Sequence, residues 1–183
     1  MKFTLITAAC LSLAVLSTPV KAGEDCPAAL DFEKRPLLGD NPVRLCEEFT
    51  GKVVLIVNTA SKCAYTPQYE GLEALYRTYR KRGLGVAGFP SNDFGGQEPG
   101  TEKQIREFCR LTYSVEFPMF AKTRVLGPQA DPLYKHLVQV SGDQPRWNFH
   151  KYLLDRQGRV IASFGSSTRP DDSALIEAIE SLL

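Results

Sequence analysis

Apolar residues along this chain fall into short unbroken runs and into stripes at helical spacing, and the two patterns alternate. Val53 to Val57 is an unbroken β-branched run with Lys52 before it and Asn58 after it, the mark of a strand buried on both faces. Thr66-Pro67 reads as a hydroxyl cap followed by a proline at the first helical position. Tyr69, Leu72, Leu75, Tyr76 and Tyr79 then recur at steps of three and four, predicting an amphipathic helix that ends at Gly83. Leu84 to Phe89 is a second buried strand, laid parallel to the first by a right-handed crossover. Pro90 to Gly100 is a turn-rich loop, and Thr101 to Gln104 is a capping box opening a helix with Ile105, Phe108 and Cys109 on its apolar stripe. Extended structure resumes over Phe117 to Phe120. Asp131-Pro132 caps a helix running to about Val140. Phe149 to Leu154 and Val160 to Phe164 flank an Asp155 to Gly158 turn as an antiparallel hairpin. A last helix from about Asp171 carries Leu175, Ile176, Ile179, Leu182 and Leu183 on one side.

The order β-α-β-α-β-α-β-β-α, parallel strands first and a hairpin last, describes an α/β protein of the thioredoxin-like fold, its central mixed sheet covered by helices on both faces. Ahead of it, Leu37 to Val43 turns the chain between two short strands, an N-terminal β-hairpin flanked by Cys26 and Cys46.

Residues 1–22 have the form of a secretory signal peptide: Lys2, an apolar stretch from Phe3 to Leu16, and the small-residue site Val20-Lys21-Ala22. Thr7-Ala8-Ala9 before Cys10 makes a weaker lipoprotein signal, because apolar sequence continues past it. The remainder, residues 23–183, is one domain, and no second span follows. Export to the periplasm is an oxidising destination, and there Cys26 and Cys46 are expected to form a structural disulfide. Lys2 and Lys21 are the only charges of the leader, which leaves 20 basic and 21 acidic residues, a net charge of −1. The bases are dispersed, so no nucleic-acid partner is expected.

The chemistry points to Cys63. It follows the first buried strand and precedes a helix, at the edge where open α/β sheets carry their sites and where free N–H groups favour a thiolate over a thiol. The spacing that a thioredoxin-type redox pair fills with a second cysteine is filled here by Thr66, which excludes dithiol cycling inside that motif. A lone thiolate still attacks an electrophile, and a peroxide oxygen would convert it to a sulfenic acid that another thiol must reduce.

Four blocks, N-T-A-S-K-C-A-Y-T-P-Q-Y-E-G-L, G-F-P-S-N-D-F-G-G-Q-E-P-G, F-P-M-F-A-K and R-W-N-F-H-K-Y-L, resemble the signature blocks of glutathione peroxidases, in the same order and spanning about residues 51–165. The resemblance implies a catalytic tetrad on Cys63, Gln97, Trp147 and Asn148. The last three are neutral N–H donors, suited to holding a thiolate and a departing oxygen without adding a base. It also implies no metal and no bound cofactor, the reductant being a thiol: glutathione or a thioredoxin-like protein. The reactive residue is cysteine rather than selenocysteine. Ser91 stands where many thioredoxin-dependent relatives have the cysteine of F-P-C-N, and Cys109 lies in the region where such relatives place a resolving cysteine. The segment from Val138 to Trp147 is short where tetrameric relatives carry an insertion, which suggests a monomer with a site open to lipid and other organic hydroperoxides.

Three functions are therefore expected in descending order. The first is a thiol-dependent peroxidase working through a Cys63 sulfenic acid. The second is a disulfide-exchange oxidoreductase using Cys63 with Cys109 on protein thiols, and the third a non-catalytic exported binding module.

Overall fold

The computed structural model describes residues 26–183; the leader and its cleavage site lie outside the described residues. A two-stranded hairpin, β1 (Glu33–Lys34) and β2 (Val43–Arg44), leads into the short helix α1 (Leu45–Phe49). The central elements follow as β3 (Val53–Thr59), α2 (Gln68–Tyr79), β4 (Leu84–Pro90), α3 (Glu102–Tyr113), α4 (Pro132–Ser141), β5 (Lys151–Leu154), β6 (Val160–Phe164) and α5 (Ser173–Glu180). The sheet order is β4-β3-β5-β6, with β3 parallel to β4 and antiparallel to β5, and β5 antiparallel to β6.

All seven residues of β3 are buried, as expected of a strand with neighbours on both sides and helices on both faces. Its residues alternate between two cores. Val53, Leu55 and Val57 face Tyr69, Leu72, Leu175 and Ile179 on α2 and α5. Val54 and Ile56 face Phe49 of α1 and Leu133, Tyr134 and Leu137 of α4. The mixed sheet, the helices on both faces and the N-terminal hairpin match the sequence expectation. Cys26 and Cys46 are disulfide-bonded and fasten the N-terminal segment to α1. The capping box at Thr101 and Gln104 and the Asp131 cap on α4 form as read.

Two boundaries differ. Phe117 to Phe120 does not join the sheet as a full strand; it makes single bridges, Met119 to Gly88 and Phe120 to Pro36. It lies so close to β4 that a Cβ on Gly88 would sit 2.2 Å from the Met119 sulfur, so any larger residue there would have to displace the Met119 side chain. The strand expected from Phe149 begins at Lys151, because Phe149 takes a left-handed conformation with φ 64°. Among the described residues no helix is long and apolar enough to cross a membrane.

Glu73 on α2 is buried and fastens this edge segment. Its carboxylate accepts from the Glu116 amide at 2.7 Å, the Phe117 amide at 3.3 Å and Arg77 Nε at 2.6 Å. Glu73→Ala strips two backbone amides of their acceptor and should cost about 2–3 kcal/mol in urea unfolding, with the disulfide intact.

Candidate active site

β3 and β4 are parallel, so the loops leaving their C-terminal ends meet at one edge of the sheet. The β3 loop carries Cys63 and the β4 loop carries Gln97. Trp147 and Asn148 precede β5, which runs antiparallel to β3, and so arrive at the same edge.

The Cys63 loop is built on Thr66, and here the sequence expectation needs correcting. Thr66 does not cap α2; Pro67 occupies the cap position without a side-chain bond. Instead the buried Thr66 hydroxyl accepts the Cys63 amide at 2.9 Å and donates to the Ala60 carbonyl at 2.9 Å, while the Thr66 amide donates to the Cys63 carbonyl at 3.0 Å. A helix-opening pair and a turn brace use the same residue types, so the pattern alone did not separate them. The Cys63 sulfur is mostly buried and accepts the Tyr65 amide at 3.4 Å.

The β4 loop turns through Gly95 and Gly96, both left-handed at φ 62° and 63°, a pairing of conformations that side chains resist. This brings the Gln97 carbonyl to the Lys62 amide at 3.1 Å, one residue from Cys63. Asn92 Oδ1 accepts the Glu98 amide at 2.8 Å, and the buried Glu98 carboxyl accepts the Ser61 hydroxyl at 3.1 Å. Burial pushes Glu98 above the usual carboxylate range.

Asn148 is fully buried and donates through Nδ2 to Gln97 Oε1 at 3.0 Å. Trp147 is 38% exposed, its ring 5.7 Å from that of Phe94 in the β4 loop. Asn58, near the end of β3, pins this third segment: its Nδ2 donates to the Trp147 carbonyl at 3.1 Å and its carbonyl accepts the Phe149 amide at 2.6 Å. The Gln97 and Asn148 side chains are thus in direct contact, Trp147 stands at the surface beside them, and the Lys62–Gln97 bond joins the Cys63 loop to both.

Cys109 belongs to the same apolar cluster as Cys63, on the inward face of α3. Burial pushes its thiol up to about 11, and the Tyr69 hydroxyl faces it. Two grooves flank these cysteines. One of about 480 Å³ is lined by Ser61, Lys62, Glu98, Ile105 and Phe108 beside the Cys63 loop. The other, about 600 Å³, is lined by Leu37, Leu38, Cys109, Arg110 and Met119, and neither groove is lined by Cys63, Gln97, Trp147 or Asn148. Among the described residues no group of three or more His, Cys, Asp or Glu side chains could hold a metal ion.

The mixed β4-β3-β5-β6 sheet with helices on both faces, and a free cysteine in the loop after its β3 strand, define the thioredoxin-like fold class. A thiol:disulfide interchange protein from Chlorobium tepidum shares the fold alone, with a TM-score of 0.62 at 15% identity over 87% of this chain and 97% of that one. The crystal structure of Trgpx in apo form superposes with a TM-score of 0.65 at 36% identity, over 84% of this chain and 97% of that one. The glutathione peroxidase family model matches residues 30–138. The hydroperoxy fatty acid reductase gpx1 of Synechocystis is 48% identical over 147 residues, spanning 75% of this chain and 86% of that protein. The glutathione peroxidase-like peroxiredoxin gpx1 of Schizosaccharomyces pombe is 50% identical over 137 residues, spanning 73% and 85%. This chain belongs to the glutathione peroxidase family. It is a thiol-dependent hydroperoxide reductase whose co-substrate is a thiol rather than a prosthetic group.

The residues that sequence reading missed are the braces. Asn58 reads only as the polar residue closing the first apolar run, and Ser61 and Glu98 drew no reading of their own; a polar residue directly after a five-residue apolar run was the single signal. Thr66→Val leaves the Cys63 amide and the Ala60 carbonyl buried and unpaired, and should cost about 1–3 kcal/mol. It should also slow peroxide consumption, while Thr66→Ser keeps both stability and rate; denaturant titration and a peroxide-electrode assay read the two effects.

Proposed function

We propose that Cys63 is the peroxidatic residue and that Gln97, Trp147 and Asn148 supply the N–H donors around the reacting oxygens. The observation that carries this reading is the Asn148–Gln97 amide bond at 3.0 Å at the edge where the Cys63 loop emerges. The Cys63 thiolate attacks the distal oxygen of ROOH, the O–O bond breaks, and ROH leaves with a proton from the site. The sulfur, oxidised by two electrons, is left as a sulfenic acid. Two thiols restore it: the first forms a mixed disulfide and releases water, the second displaces the first as a disulfide. Neutral amides suit this sequence because negative charge develops on sulfur and then on the leaving oxygen, and neither amide competes for the proton.

The substrates we assign are hydrogen peroxide and organic hydroperoxides, including those of fatty acids. The name of the Synechocystis relative, the surface position of Trp147 and the apolar Ile105 and Phe108 lining of the groove beside the loop support the larger ones. The reductant is glutathione or a thioredoxin-like protein. Cys109 serves as resolving thiol only if α3 opens, since its burial opposes ionisation. The short segment between Val138 and Trp147 favours a monomer, and the form of residues 1–22 favours export to the periplasm.

Cys63→Ser should abolish peroxide consumption, and Asn148→Ala should lower the second-order rate constant by roughly 10- to 1,000-fold. Mass spectrometry after one equivalent of peroxide should show oxygen added at Cys63, or a Cys63–Cys109 bond that Cys109→Ala removes. A Cys63→Ser protein that still turns over peroxide rejects the assignment.

Produced with its own leader in a Gram-negative host, the protein should appear in the periplasmic extract with Gly23 as its first residue. Cytoplasmic protein beginning at Met1 would remove the export reading.

A further inference from the structure

Lys151 is the first residue of β5 and opposes Val57 in the sheet. It shares a face with Leu153, inside the apolar core under α2 and α5, and has 0% exposure. Its ammonium group reaches two backbone carbonyls: Phe149 at 2.7 Å and Thr168, 17 residues on, at 2.7 Å. An aliphatic residue at this place would serve the core better, so the two bonds need a reason.

Phe149 supplies one. It is a bulky residue at φ 64°, a conformation that costs about 1–2 kcal/mol when nothing enforces it. Three contacts enforce it: its amide on the Asn58 carbonyl at 2.6 Å, its ring edge-on to Tyr69 with centroids 5.3 Å apart, and its carbonyl on Lys151. The residues immediately before it are Trp147 and Asn148, so the torsions of Phe149 set the direction in which that pair leaves the strand. The second carbonyl, Thr168, sits in a loop that is itself fixed to the start of α2. Gln68 Nε2 donates to the Ser166 carbonyl at 2.6 Å, and Pro170 packs so tightly on Gly71 that a Cβ there would meet it at 2.9 Å. The chain from Cys63 into α2 and the Trp147–Asn148 segment are thereby tied to one loop, with Lys151 as the tie on the second side.

We infer that Lys151 is a positioning residue for the peroxidase reaction, holding Phe149 left-handed so that Asn148 and Trp147 are aimed at the Cys63 sulfur. Burial lowers its side chain to about 7, and the neutral amine still carries two N–H groups, one for each carbonyl, so the tie persists on both sides of neutrality. The inference rests on the proposed roles of Asn148 and Trp147.

Trp147 is the single tryptophan of the chain, so its emission reports this segment alone. The experiment compares Lys151→Met with Glu73→Ala, a buried change away from the converging loops that serves as a control for lost stability, and with Asn148→Ala. In Lys151→Met the rate constant for peroxide at Cys63 should fall at least tenfold, with a shift in Trp147 emission. Adding Lys151→Met to Asn148→Ala should cost less than the product of the two separate losses, because the part of the Lys151 effect that acts through Asn148 is already gone. Glu73→Ala should leave rate and emission at wild-type values. A folded Lys151→Met protein that matches Glu73→Ala in rate and emission, or whose effect adds fully to that of Asn148→Ala, overturns the inference. If Lys151→Met does not fold, the same readings on Lys151→Gln, a shorter side chain ending in an amide, decide in the same way. An Asn148→Ala protein with wild-type rate would instead remove the proposed donor role on which the inference stands.

Discussion

One hydrogen bond between two amides organises the edge where the four expected catalytic residues converge. Asn148 donates to Gln97 across 51 residues of sequence, and by doing so it fixes the sense of both groups. Gln97 receives through its oxygen, which leaves its NH₂ facing the other way with both hydrogens free. Asn148 gives one hydrogen to this bond and retains a second. Each amide has a donor end and an acceptor end, and pairing one with the other turns two ambivalent groups into a site rich in N–H. In the proposed chemistry that polarity is what a sulfur anion and a departing oxygen require.

The bond can form only because the backbone beneath it is held. Asn58 carries out that task from the middle strand, bonding through both side chain and backbone to the segment that bears Trp147 and Asn148. On the other side, the Lys62 amide on the Gln97 carbonyl joins the Cys63 loop to the β4 loop. The result is not free of cost. Asn58 Oδ1, Asn148 Oδ1, Glu98 Oε1 and His150 Nε2 are buried without a protein hydrogen-bond partner, and all four belong to this edge or the strand beside it. Burial holds His150 below its ordinary value and Glu98 above its own, so both shift toward the neutral form. Other such atoms lie outside this edge, among them the Tyr134 hydroxyl in the opposite core, so the edge holds half of the unsatisfied buried side-chain atoms among the described residues rather than all of them.

The same division explains what could be read from the residues alone. Strands β3 and β4, the stripe on α2, the capping box on α3 and the Asp131 cap follow from local rules that act within one element, and each was legible. The Cys26–Cys46 bridge was legible because two cysteines flank a short hairpin, where a disulfide can staple the N-terminal segment to the body. Thr66 was misread: its hydroxyl satisfies a turn six residues back to Ala60 rather than the helix ahead. Phe149 looked like the first residue of a strand, because its type favours extended backbone and the contacts that turn it left-handed come from Asn58, Tyr69 and Lys151. Lys151 drew no reading of its own beyond its place in the expected strand. Local pattern cannot reveal a conformation such as that of Phe149, which is decided in part by Asn58 on another strand.

Thr66 also bears on why this fold performs peroxide chemistry here instead of disulfide exchange. Proteins that cycle a C-x-x-C pair keep the second sulfur three residues on, ready to displace any mixed disulfide at the first. In this chain that position is occupied by a hydroxyl whose hydrogen and acceptor site are both engaged in bracing the loop, so nothing local can attack an oxidised Cys63. The other free thiol among the described residues, Cys109, is held in the un-ionised form by its burial on α3. In the proposed chemistry a sulfenic acid formed at Cys63 would persist until a thiol is delivered, either from solution or by opening of α3. Persistence is a fault in a disulfide exchanger but a requirement in a peroxidase that draws its electrons from a separate reductant, and a bonded hydroxyl in place of a second sulfur meets that requirement while the amide donors across the edge meet the others.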